Sequence, residues 1–226
     1  MIKAVIFDMD GIIIDSEPIY FDLEMKLFRQ LCLPISEKDH DAFVGTSTRN
    51  MWVYLKDKFD IKPSADELVK IERELYEKRL MSEKIVPIDG VVELIKNLHK
   101  GGLKLAIASS SSLYEIETIA DLFKIKSYFL QFVSGDEVGK GKPEPDIFLL
   151  AAERLSVKPE ECIVIEDSRN GVEAAKKAGM KCIGCQNPGS GSQNLRSADL
   201  VWDTGTGPLT YSAVEKFLSV SGGQVS

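Results

Sequence analysis

The chain has 226 residues, 44% hydrophobic and 28% charged, enough for a domain with a sizeable insertion and ordinary for a soluble globular protein. Its 35 acidic against 28 basic residues give a formal charge of −7, which argues against a nucleic-acid partner. No apolar run approaches the ~20 residues of a membrane helix. Met1-Ile2-Lys3 leads straight into an apolar stretch with no signal peptide, and four cysteines are too few and scattered for a secreted disulfide framework. The expectation is therefore a cytoplasmic protein with no membrane partner.

In chain order, Ala4 to Phe7 is a continuous apolar run with Gly11 soon after it, which predicts a buried strand. Asp8 and Asp10 follow it, at a spacing that would put both carboxylates on one side if the strand continued. Two such charges repel unless a cation or a proton lies between them. From Ser16 to Met81 the pattern is wholly helical. Tyr20, Leu23, Leu27 and Leu31 recur at helical spacing and Pro34 closes that helix. Ser36 with Asp39 suggests a second start; Ser64 with Glu67 after Pro63 is a capping box, followed by the stripe Leu68, Ile71, Leu75.

From Pro87 onward helices and strands alternate. Val91 to Lys100 is a helix ended by Gly101-Gly102, Leu103 to Ala108 a strand, and SLYEIETIADLF a helix capped by Ser112 and Glu115. FLQFVSG, CIVIED, KCIGC and ADLVW read as strands, with PDIFLLAAERL and SRNGVEAAKKAG as helices between them. Such alternation implies a parallel sheet covered on both faces. The fold class is thus α/β: a doubly wound, Rossmann-like core over 1–15 and 88–226, with a helical insertion over 16–87.

Open α/β sheets bind ligands at the carboxyl ends of their strands. Four segments fall there: Asp8 and Asp10, Ser109, Lys142 in GKGKPEPD, and Glu166-Asp167. Two acidic pairs make a hard oxygen site suited to Mg²⁺. The lysine and the hydroxyl suit phosphate oxygens. The cation between the carboxylates is accordingly expected to be Mg²⁺, with a phosphoryl group as its other ligand. Cys182-Ile183-Gly184-Cys185 lacks partners for a zinc site, since His40 and His99 are far off in sequence, and it reads as a strand rather than the helix N-terminus of a redox pair.

FDMDGIIIDSEP, IASSSS, GKPEPDIF and VIEDSRNGVEAAKKAG resemble, in order, the four motifs of the haloacid dehalogenase superfamily, across Lys3 to about Asp199. The helical insertion lies where that superfamily places its cap. Within it the chain most resembles the phosphatases and β-phosphoglucomutases with a small helical cap. The resemblance implies that Asp8 is the nucleophile that becomes an aspartyl phosphate and Asp10 the general acid and base. It implies Ser109, with Ser110 beside it, and Lys142 as phosphate binders. Asp8, the Asp10 carbonyl and Asp167 would hold Mg²⁺, with Glu166 as ligand or neighbour. Arg49, in the cap segment FVGTSTRNMW, is a candidate grip for a substrate anion, or else a surface arginine opening a helix.

Lid opening is expected at Ile14-Asp15-Ser16 and at Pro87-Ile88-Asp89-Gly90. A metal-free dehalogenase is disfavoured by the second acid at Asp10 and the Glu166-Asp167 pair. The family's mutases carry a histidine at about Tyr20 and a lysine where Ser112 stands, and this cap loop is one residue longer; these departures favour a phosphatase. The expected activity is thus Mg²⁺-dependent hydrolysis of a small phosphorylated metabolite, a sugar phosphate, by a monomer. The alternatives are a β-phosphoglucomutase-type transfer and a catalytically weak regulator.

Overall fold

Six short runs of the chain share one parallel sheet in the computed structural model, which describes residues 1–40, 43, 48–82, 85–187, 191 and 193–220. They are β1 (Ala4–Phe7), β2 (Lys104–Ser109), β3 (Gln131–Ser134), β4 (Cys162–Glu166), β5 (Lys181–Gln186) and β6 (Leu200–Asp203), in the order β3-β2-β1-β4-β5-β6. Every neighbouring pair is parallel. This is the strand order of dinucleotide-type doubly wound folds, and the order reverses between β1 and its neighbours. The register pairs Phe7 with Ile107 on one side and Ile165 on the other, so β1, β2 and β4 end on one rim.

Alternation divides the strand side chains between two faces. Ala4, Ile6, Ala106, Ala108 and Val164 pack on α7 (Asp146–Arg154) and α8 (Arg169–Lys177), through Phe148, Ala151 and Val172 among others. Val5, Phe7, Leu105, Ile107 and Ile165, one residue out of phase, are also buried. Both phases are therefore apolar, as a sheet between helical layers requires. Helix α5 (Val91–Lys100) packs on β2 and on α9 (Tyr211–Val220), and α6 (Leu113–Leu122) on β3. Sequence reasoning did not identify α9, which starts after Thr210 and buries Val214 and Leu218.

The chain divides into two compact units, Met1–Asp15 with Val86–Ser226, and Ser16–Ile85. In the first unit the two crossing segments bond to each other: Ile14 bridges Pro87, and the Ile88 amide donates to the Ile13 carbonyl at 3.0 Å. The second unit holds α1 (Glu17–Gln30), α2 (Glu37–His40), α3 (Thr48–Phe59) and α4 (Ala65–Ser82) around Phe28, Trp52, Leu55 and Leu68. The Ser36/Asp39 and Ser64/Glu67 caps form as expected, each acid accepting from the serine amide, at 2.9 Å and 2.7 Å. Helix α1 ends at Gln30, four residues before Pro34, because Cys32 turns left-handed at φ 54°.

Candidate active site

The ladder runs one residue past β1, the Asp8 amide donating to the Ile165 carbonyl at 2.9 Å. The chain then turns: the amides of Ile13 and Ile14 both donate to the Met9 carbonyl, and Gly11 takes a left-handed φ of 72°. The strand does not continue, so Asp8 and Asp10 do not share surroundings. Asp8 bonds to Lys142 beside Glu166 of β4. Asp10 turns to the end of β2, where its Oδ2 accepts from Ser109 Oγ at 3.3 Å and Ser111 Oγ at 2.9 Å.

Lys142 occupies the centre. Its Nζ donates to Asp8 Oδ1 at 2.8 Å and Glu166 Oε1 at 2.7 Å, and lies 5.0 Å from the Phe148 ring centre. Glu166 is fully buried; its other oxygen accepts from the Ser168 amide at 2.7 Å and Oγ at 2.9 Å, at the start of α8. Ser168 also caps that helix, accepting from the Gly171 amide at 3.0 Å. Asp167, also buried, completes a group with Asp8 and Glu166 whose oxygens lie within 4.8 Å of one another.

Charge does not balance there. One ammonium faces Asp8, Glu166 and Asp167, with Asp10 nearby. Burial, then Glu166 and Asp10, push the Asp8 carboxyl up to about 7 against the opposing pull of Lys142. Burial alone would lower the Lys142 pKa, but Asp8 and Glu166 outweigh it and keep the ammonium charged. Asp10 Oδ1 is buried with no partner among the described residues. An excess of buried carboxylate, oxygen donors only and an unpaired oxygen close by fit a small hard cation.

Of the other expected residues, Ser109 is buried on this rim, while Ser110 is exposed on the turn after β2. Ser112 caps α6 in a capping box with Glu115, as its spacing predicts. Ser111 was missed. Its amide donates to Ser109 Oγ at 3.1 Å and its carbonyl accepts from Ser134 Oγ at 2.7 Å, which aims its hydroxyl at Asp10. In a run of four serines only the cap at Ser112 hints at which ones share a side. Arg49 opens α3 in the helical unit, exposed, with its Nε on Asp66 Oδ1 at 2.9 Å. Residues 45–47 of the cap loop lie outside the described residues. Cys182 and Cys185 are buried in β5, where burial pushes both thiols up, away from thiolate chemistry.

Residues 5–185 match the model of the haloacid dehalogenase-like hydrolase family. The chain is similar to the phosphorylated carbohydrates phosphatase of Thermotoga maritima, 38% identical over 80% of this chain and 83% of that protein. It is also 32% identical to hexitol phosphatase B of Escherichia coli, over 80% and 82%. In fold it is similar to the β-phosphoglucomutase of Clostridium difficile, with a TM-score of 0.80 at 24% identity over 98% and 99% of the two chains. The chain belongs to the haloacid dehalogenase-like hydrolases, in the branch whose relatives are named phosphatases.

Proposed function

We propose that this chain hydrolyses the phosphate monoester of a small phosphorylated metabolite, a sugar phosphate, through an aspartyl phosphate on Asp8. One observation carries the reading: Lys142 joined to both Asp8 and Glu166 at the ends of β1 and β4, with Asp167 in the same group. The names of the phosphatase relatives support the choice of substrate class.

In the first step an Asp8 oxygen attacks phosphorus, the ester bond breaks, and the leaving sugar oxygen takes a proton from Asp10. In the second, Asp10 takes a proton from water, whose oxygen attacks the same phosphorus; inorganic phosphate leaves and Asp8 is free again. Lys142 and Ser109 hydrogen-bond the phosphoryl oxygens, the lysine carrying the matching charge. Ser111 holds the Asp10 carboxylate towards the end of β2, so the two carboxylates have different surroundings. Mg²⁺ held by Asp8, the Asp10 carbonyl and Asp167, with Glu166 as ligand or neighbour, would shield the phosphate charge and align it for in-line attack.

The test is phosphate release from a panel of hexose, pentose and polyol phosphates, with Mg²⁺ and with excess chelator. Release in step with substrate loss is expected, only with the metal. Full activity in chelator would remove Mg²⁺ from the reading. Conversion of β-glucose 1-phosphate to glucose 6-phosphate, with a bisphosphate primer and little free phosphate, would make the chain a mutase.

A further inference from the structure

Helix α8 has a glycine in its first turn, at Gly171, with no positive φ to account for it. Glycine inside a helix is less stable than alanine, because it has more backbone freedom to lose. Its amide serves as the partner of the capping Ser168 Oγ at 3.0 Å, but alanine would supply the same amide.

The missing Cβ leaves room for one group. A Cβ at 171 would stand 1.7 Å from Glu166 Oε1, 1.9 Å from its Cδ and 2.5 Å from its Oε2. No rotation of a free chain end relieves that overlap. The carboxylate is fully buried and bonded at both oxygens, to Lys142 Nζ at 2.7 Å and to Ser168 at 2.7 Å and 2.9 Å. It lies over the first turn of α8, where the helix dipole favours an anion.

We infer that Gly171 is a positioning residue of the site: its lack of a side chain lets the Glu166 carboxylate fold over the start of α8 and hold Lys142 against Asp8. A side chain there drives Glu166 out of its place. Lys142 then loses its bond to Glu166 and keeps the one to Asp8, and the Ser168 amide and hydroxyl lose their acceptor. The catalytic consequence rests on the phosphatase reading; the packing of Gly171 against Glu166 does not.

Two readouts on the full chain test it. In Gly171→Ala, the Ser168 amide resonance should move as it does in Glu166→Ala, and kcat/KM on the best phosphoester should fall by about 10- to 100-fold, as when a supporting contact is lost. In Gly171→Ala with Glu166→Asp, the acid one carbon shorter draws back from the new methyl, and part of the lost stability and kcat/KM should return. A Ser168 resonance unmoved by Gly171→Ala overturns the inference. So does a double variant no more stable and no more active than Gly171→Ala alone, including the case in which neither folds. If the wild type turns over no phosphoester, the phosphatase reading fails, while the Ser168 resonance and the melting curves still decide the role of Gly171.

Discussion

Both units of the chain bury carboxylates, and they neutralise them differently. In the sheet unit, Asp8, Glu166 and Asp167 meet at strand ends around a lysine with two of them in reach. In the helical unit, Glu24 and Glu72 are both buried, close enough for the charge of Glu24 to be felt at Glu72. Glu24 pairs with His40; Glu72 accepts from Trp52 Nε1 at 2.8 Å, and its other oxygen is buried with no partner among the described residues. Burial first, then the charge of Glu24, push Glu72 up to about 8 against the hydrogen bonds from Trp52 and Thr48. In the sheet unit a fixed ammonium pulls the Asp8 carboxyl down against its burial; in the helical unit burial holds Glu72 neutral with a proton. A raised carboxyl pKa alone therefore does not mark an active site: what separates the two is strand-end placement and a convergent cation.

The sharpest way to break this comparison is at Asp8. Asp8→Asn should lower kcat by more than ~10³-fold with the fold retained, since an amide cannot form the acyl phosphate. Near-normal turnover would take the nucleophile away from this cluster and leave its charge as a packing feature.

Lys142→Met comes next in size. With the ammonium gone and no divalent cation added, Asp8 and Glu166 lose the charge they share, and denaturant unfolding should show a loss of about 3–5 kcal/mol. Added Mg²⁺ should recover part of it by binding the folded state. Unchanged stability without the metal would mean the lysine is not what neutralises the cluster.

Glu72→Gln is the smallest and has the opposite sign. The Glu72 carboxyl is raised from its ordinary value of 4.5 to about 8, so the folded state binds a proton that the unfolded state releases. Its contribution to stability is complete below about 4.5 and is lost as pH rises through about 8. Glutamine copies the neutral form and keeps the acceptor for Trp52. The variant should match the wild type near pH 4 and exceed it by a few kcal/mol at pH 8.5. Trp52, buried in the same unit, gives the fluorescence signal for the helical unit's transition. A wild-type stability as flat with pH as the variant's would show that Glu72 is not held neutral.

Much of this molecule could be read before folding, for local reasons. The strands announce themselves as short apolar runs, and the helix starts at Ser36, Ser64 and Ser112 as serines with an acid three residues on, because those interactions span a single turn. The candidate site was legible in outline because each of its parts stands at the end of a predicted strand or beside a proline. Asp8, Ser109, Glu166 and Asp167 needed only the strand boundaries to be gathered on one rim.

What the tertiary structure alone decided are the relations across strands and helices. Asp8 and Asp10 are two residues apart, yet one bonds towards β4 and the other towards β2, because the chain turns at Met9 rather than extending. Ser111 is one serine among four until the turn before α6 aims its hydroxyl. Arg49 carries the same charge on the page whether or not Asp66, on another helix, stands beside it. Gly171 looks like a weak spot in a helix until Glu166 is seen in the space its missing Cβ leaves. The sequence determined which groups were available and which local turns would form. Which groups touch, and so which buried carboxyl has an ammonium against it and which does not, depended on distances and burial that exist only once the elements are packed.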